Sequence, residues 1–198
     1  MNLRTGCTVE DDMTATTTAC IALAITLFWS VGAYNRLVRL RAKTKARFVL
    51  LDGHLSQMIT IVVDHLKIHS SPPFAQEDTG SVGPNAATAM AGMQGASTQF
   101  DASLKVGRSQ PLDPGAMAAL QTALVTLQMS WERMHEERLH FHELPPALTD
   151  QAWAGNMQLI THASSEFNRA VLAYNAAVRQ FPAVVLAYLC GFRPAGCI

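Results

Sequence analysis

The chain predicts an all-α protein: an N-terminal transmembrane helix followed by an up-and-down four-helix bundle. Three observations predict it. Met13 to Asn35 is an uncharged run with a strongly apolar core, Ala19 to Ala33. Beyond it, apolar residues recur at helical steps of three and four, with no sustained alternation that would argue for strands. Between these segments lie connectors marked by Pro and Gly.

The uncharged run reaches the roughly 20 residues that a bilayer span requires, helped by a Thr-rich stretch whose hydroxyls can bond back to helix carbonyls. It divides the chain into a short outer segment, 1–12, a span, 13–35, and a domain, 36–198. Glu10, Asp11 and Asp12 precede the span, and Arg36, Arg39, Arg41, Lys43, Lys45 and Arg47 follow it. Lys and Arg near a span resist translocation, so the flanks predict a single-pass protein of the cell membrane, N-terminus outside and domain cytoplasmic. The competing reading is a cleaved secretory signal, for which Val31-Gly32-Ala33 offers small residues, but an acidic leading segment and six cations directly downstream are wrong for export.

Formal net charge is zero and the pI is near 7.0, so the whole chain gives no electrostatic reason to expect nucleic acid as a partner. The basic neck predicts contact with anionic headgroups, each cation contributing roughly 1 kcal/mol. Tyr34 falls where the helix leaves the bilayer, its ring suited to the headgroup layer and its hydroxyl to water. Cys7, Cys20, Cys190 and Cys197 have neither zinc nor redox spacing and are expected as free thiols in a reducing cytoplasm.

The first helix of the domain continues out of the membrane with Phe48, Leu51, Leu55, Met58 and Val62 on one side, and ends near His69. Ser70 to Asn85, with three prolines and two glycines, reads as a long connector. A second helix is expected from about Ala86 to Val106. Its Ala86, Ala87, Ala89, Ala91, Gly92, Gly95 and Ala96 predict a face that a neighbour approaches closely, at a cost of about 1 kcal/mol for each glycine relative to alanine. Asp113-Pro114 is a helix start, because the carboxylate caps free amides and Pro sits where no amide is needed.

The third helix carries the seam Met117, Leu120, Leu124, Leu127, Trp131 and Met134 and is ended by Pro145-Pro146. The fourth runs from about Thr149 with Trp153, Met157, Ile160, Ser164, Phe167, Val171, Tyr174, Val178 and Phe181 in heptad spacing. Four amphipathic helices so connected suit an up-and-down bundle with crossing angles of about 20°. Phe181-Pro182 predicts a kink or an end, followed by an apolar segment, Ala183 to Leu189, closed by Gly191 and Pro194. That segment either folds on the bundle end or offers a hydrophobic surface to the membrane or a partner. Asn168 and Asn175 share a face of the fourth helix, and their amides suit either bonds within the fold or a partner surface.

Two stretches carry a family resemblance. Tyr34-Asn35-Arg36-Leu37-Val38-Arg39-Leu40-Arg41 resembles the opening signature of the LemA family, and Phe167-Asn168-Arg169-Ala170-Val171-Leu172-Ala173-Tyr174-Asn175 resembles its second, continued by Phe181-Pro182 and Gly191-Phe192. The resemblance implies a single-pass membrane protein with a four-helix bundle and brings no catalytic residues with it. Apart from the resemblance, the long connector, the polar face of the fourth helix at Asn168 and Asn175, and the apolar tail marked by Phe181, Pro182 and Phe192 are the candidate partner surface. The chain departs from the family at Met58 to Val63, which lacks the usual basic-to-proline segment.

The catalytic candidate is the end of the third helix, where Glu132 with His135, and Glu137 with His140, repeat a Glu-x-x-His spacing. That spacing puts carboxylate and imidazole on one face, as in di-iron bundles, but such a site needs a pair on each of two helices plus a Glu from each of two others. A solvated charged face accounts for the same residues. No phosphate-binding glycine loop, Gly-x-Ser-x-Gly elbow or His-Glu-x-x-His run is present. Asp64-His65 is expected as a surface pair, lacking a third group to orient it. The function expected is noncatalytic: a membrane-anchored interaction or scaffold module, with no cofactor, whose partners are the lipid bilayer and another membrane protein or itself as an oligomer. The alternatives are a metal-dependent activity at Glu132, His135, Glu136 and His140, or anionic-lipid binding by the neck.

Overall fold

The computed structural model describes residues 7–70, 84–140, 147–181 and 183–198, and among them it contains five α-helices and no strand. They are α1 (Cys7–Ser70), α2 (Pro84–Ser109), α3 (Pro114–His140), α4 (Ala147–Arg179) and α5 (Ala183–Cys190). The outermost six residues, most of the first connector, Pro145-Pro146 and Pro182 lie outside the described residues.

Helix α1 is one unbroken rod of 64 residues, about 96 Å long at 1.5 Å per residue. Residues 14–29 are all exposed. Ile21, Leu23, Ile25, Leu27, Phe28, Trp29 and Val31 are all exposed, Phe28 at 84%. An 18-residue stretch of mean hydropathy 1.6, none of it buried, makes α1 the one described helix that is by itself long and apolar enough to cross a membrane. Hydroxyls in this stretch bond back one turn, Thr18 to Thr14 O at 2.7 Å, Thr26 to Ala22 O at 2.8 Å and Ser30 to Thr26 O at 2.7 Å, so they place no unpaired donor on the apolar surface.

From Leu37 onward α1 packs along α4, and α2 packs along α3. Cross-links fix α1 and α4 as antiparallel: Arg36 meets Gln180, Arg47 meets Glu166, the Phe48 ring meets the edge of Phe167, and Asn156 Nδ2 donates to His54 O at 3.0 Å. The buried Thr44 hydroxyl donates to Leu40 O at 3.0 Å and lies 3.3 Å from Ala170 O, so a polar group sits in the seam without being orphaned. Between α1 and α2, Arg108 is the clasp: Nε donates to Asp52 Oδ1 at 2.7 Å and Nη2 to Ser56 Oγ at 2.6 Å.

One hydrophobic core joins all five helices. Phe48, Leu51, Leu55, Met58 and Val62 are buried as expected, and so is the whole α3 seam from Met117 to Met134. Asp113 caps α3, its Oδ2 accepting from Ala116 N at 2.8 Å, with Pro114 at the first helical position.

The small residues expected on α2 pack only in part, through Ala89 and Ala96. Ala87, Ala91, Gly92 and Gly95 are exposed, and nothing lies within 4 Å of where a Cβ would stand on either glycine. Ala89 and Ala96 make the contact together with Met93, Phe100 and Leu104, larger residues at the same helical spacing that bury more apolar surface. Two further expectations change. Phe181 is 78% exposed, since α4 ends at Arg179 before the heptad reaches it. His65 is buried against Trp131, with ring centroids 5.1 Å apart, because its place on α1 continues the buried side that passes through Val62.

Candidate functional site

Where α1 leaves its unpacked part, four pieces of chain converge. Helix α1 brings Tyr34, Arg36, Leu37 and Arg41, Gln180 and Phe181 lie just beyond the end of α4, α5 starts at Ala183, and the tail beyond it brings Phe192. Leu37 is 1% exposed and anchors the convergence. Tyr34 meets Phe192 edge to face at 5.9 Å and 70°, and the Arg41 guanidinium lies 5.7 Å from the centre of the same ring. Arg36 Nη1 donates to Gln180 Oε1 at 3.1 Å. A cleft of about 240 Å³ opens here, lined by Trp29, Gly32, Ala33, Arg36 and Leu37 of α1 and by Ala177, Gln180, Phe181 and Ala183.

The basic neck therefore divides. Arg36 and Arg41 make the contacts just described, and Arg47 lies 3.7 Å from Glu166, which also pairs with Arg169 at 2.7 Å. Arg39, Lys43 and Lys45 are exposed and form no ion pair among the described residues.

The tail beyond α5 is bound down along α4. Gly191, at φ +69°, ends α5 in the left-handed conformation that favours glycine, and Phe192 N closes the turn on Ala187 O at 2.9 Å. Tyr174 then donates to Arg193 O at 3.0 Å. Asn175 Nδ2 donates to Ala195 O at 2.9 Å while its Oδ1 accepts from Ala195 N at 2.8 Å, and Asn168 makes the same pair with Ile198, at 2.6 and 2.9 Å. Gly196 N donates to Leu112 O at 3.2 Å, tying the tail to the turn before α3. The two asparagines face the tail backbone, and α5 and its flanks carry exposed side chains at this end. Burial raises the Tyr174 phenol above its ordinary value, with the Arg41 cation pulling the other way.

The opposite end of α3 presents a different cluster. Trp131 and Trp153 stack at 4.1 Å and 3°. Beside them His135 Nδ1 lies 3.8 Å from Asp150 Oδ1. Glu132 and Glu136 are exposed, and the His140 side chain is outside the described ones. Among the described residues no three His, Cys, Asp or Glu side chains gather as a metal site. Between α3 and α4 an open cleft of about 590 Å³ is lined by Leu124, Gln128, Met157, Ile160, Asn168 and Leu172, among others.

Sequence patterns flagged Tyr34, the neck, the two asparagines and Phe192, and the structure brings Tyr34, Arg36, Arg41 and Phe192 together. Arg108, Tyr174 as a tail ligand and Gly196 were not flagged. Gly196 alone carried a signal, as a glycine in a closing segment. No family model, no curated protein and no solved structure matches this chain.

Proposed function

We propose that the chain is a noncatalytic membrane-anchored scaffold, in which residues 13–35 span the membrane and α1 to α4 form an up-and-down four-helix bundle that meets a second membrane protein. The observation that carries this reading is the continuity of α1. One helix supplies both an exposed apolar length and a wall of the core, so the domain is held rigidly at a fixed height over the bilayer. Tethering raises the effective concentration of the domain for partners in the same membrane. The open α3–α4 cleft, with Leu172 exposed on its lining, is the face with room for a partner helix. The LemA-like signatures fit the same reading.

The cations after the span favour an orientation with the N-terminus outside and the domain in the cytoplasm. Replacing Arg36, Arg39, Arg41, Lys43, Lys45 and Arg47 with Gln removes this bias, so tags at the two ends should report mixed orientation, and a retained single orientation would count against it. The scaffold reading is tested by affinity capture of the full-length protein from gently solubilised membranes, with the isolated span as control. A stoichiometric partner absent from the control is expected. Recovery of the protein alone, or of its own oligomer, would sink the scaffold reading.

Arg39, Lys43 and Lys45 favour a second reading, anionic-lipid binding by the neck, because nothing among the described residues pairs with them. That contact weakens with salt. Equal association with neutral and anionic vesicles would argue against it.

A further inference from the structure

We propose that α5 lies in the interfacial layer of a phospholipid leaflet as a second membrane contact beside the span. The inference rests on the reading of residues 13–35 as a span and adds a site to it.

The sequence of α5, AVVLAYLC, contains no charged residue, and a helix apolar all round belongs in a core or a membrane. Yet only Ala187 is buried. Phe181, Val184, Val185, Tyr188 and Leu189 are exposed at 78, 42, 52, 88 and 73%. Spacing puts Val184, Val185, Tyr188 and Leu189 on one side of α5, while Ala187 faces α1 and α4. An exposed apolar patch of this kind marks an interaction surface.

Position identifies the occupant. Phe181 and Ala183 share a cleft with Trp29, Gly32 and Ala33, the last turns of the exposed apolar length of α1. Lipid around those turns therefore reaches α5 as well. Exposed cations bracket the helix, Arg179 before it and Arg193 after it, where headgroup phosphates would lie, and Tyr188 has the apolar ring and polar tip that suit the interface. A second copy of the chain is a poorer occupant. A specific protein interface engages about 20 to 30 residues a side, and this patch offers a handful.

The test uses the full chain reconstituted in vesicles, its four native cysteines replaced by serine, with an NBD fluorophore on one introduced cysteine at a time. Tyr188→Cys reports on α5, Leu27→Cys on the span, and Leu148→Cys on the far end of α4, where Leu148 is 80% exposed. The expected result is blue-shifted emission and loss of intensity with brominated lipids at positions 188 and 27, and neither change at 148. Quenching at 27 with water-like emission at 188 overturns the proposal and leaves the span standing. A blue shift at 188 without bromolipid quenching also overturns it, because protein and not lipid would then cover α5. Absence of quenching at 27 removes the span itself, and the proposal with it.

Discussion

Asn175 and Ala195 exchange two hydrogen bonds, the side-chain amide matching both main-chain groups of a residue in the tail, at 2.9 and 2.8 Å. Asn168 repeats the arrangement with Ile198, so two asparagines one heptad apart on α4 hold the tail at two points in the manner of a strand pair. Only an amide side chain offers donor and acceptor side by side in this way. Asn175→Ala removes two bonds, each contributing about 0.5–1.5 kcal/mol. Amide exchange in residues 192–198 should accelerate while the α1–α4 seam stays protected. If exchange rises equally in the seam, the tail is an integral part of the core and not a separately releasable strap.

Two glycine substitutions should move stability in opposite directions. A Cβ on Gly196 would stand 2.5 Å from Pro114 Cα, which is backbone and cannot rotate away, so Gly196→Ala must lift the tail and break its bond to Leu112 O. A loss of about 1–3 kcal/mol is expected, as for other overpacked sites. On Gly92 the same Cβ meets nothing within 4 Å, and Gly92→Ala should stabilise by about 0.5–1 kcal/mol through helix propensity alone. Thermal melts separate the two, since 1 kcal/mol corresponds to a Tm shift of about 2–4 °C at this size. Destabilisation by Gly92→Ala would mean that α2 has a partner on its small face.

Tail docking should weaken in alkali. Burial raises the Tyr174 phenol above its ordinary 10.0, with Arg41 opposing, so the folded protein holds this proton at pH values where the unfolded chain releases it. Its contribution to stability is therefore complete below about pH 10 and is lost as pH rises through the raised folded value. The phenolate also cannot donate to Arg193 O. Denaturation midpoints measured upward from neutral pH should fall in this window, and Tyr174→Phe should remove that step while lowering stability at neutral pH by about 0.5–1.5 kcal/mol. An unchanged alkaline profile in the variant would assign the step to other groups.

Helix identity and the core-facing sides of α1 and α3 were legible because residues such as Leu51, Leu55, Leu120 and Leu127 repeat at a period that only a helix satisfies. The cap at Asp113 and the stop at Gly191 were legible for a local reason, the backbone conformations those residues favour. The small residues of α2 misled because periodicity says which residues share a face and not which face is covered. Gly92 and Gly95 fall outside the buried stripe of Met93 and Phe100, and apolar area decided which residues are covered. The tail contacts were illegible for a different reason. Asn168 and Asn175 were conspicuous as polar groups in an apolar helix, but their partners are main-chain atoms, and a backbone acceptor leaves no mark in a sequence. Only the fold places Ala195 and Ile198 opposite them.

The Arg41–Phe192 contact joins the basic neck to the tail, and its strength is measurable as a coupling energy. The guanidinium lies 5.7 Å from the ring centre, with Tyr34 edge-on to the same ring at 5.9 Å. Arg41 is exposed, so the contact is worth about 0.5–1 kcal/mol, well below a desolvated cation–π pair. Arg41→Met keeps the stem that packs near the ring and removes the charge, and Phe192→Leu keeps apolar volume and removes the ring. In a double-mutant cycle the two changes should fall short of additivity by about 0.5–1 kcal/mol. The same cycle in 1 M salt should return a smaller coupling, because an exposed cation is screened over about 3 Å at that ionic strength. Full additivity at low salt would mean that the ring holds the tail through Tyr34 and packing alone, leaving Arg41 to join Arg39, Lys43 and Lys45 as exposed cations of the neck.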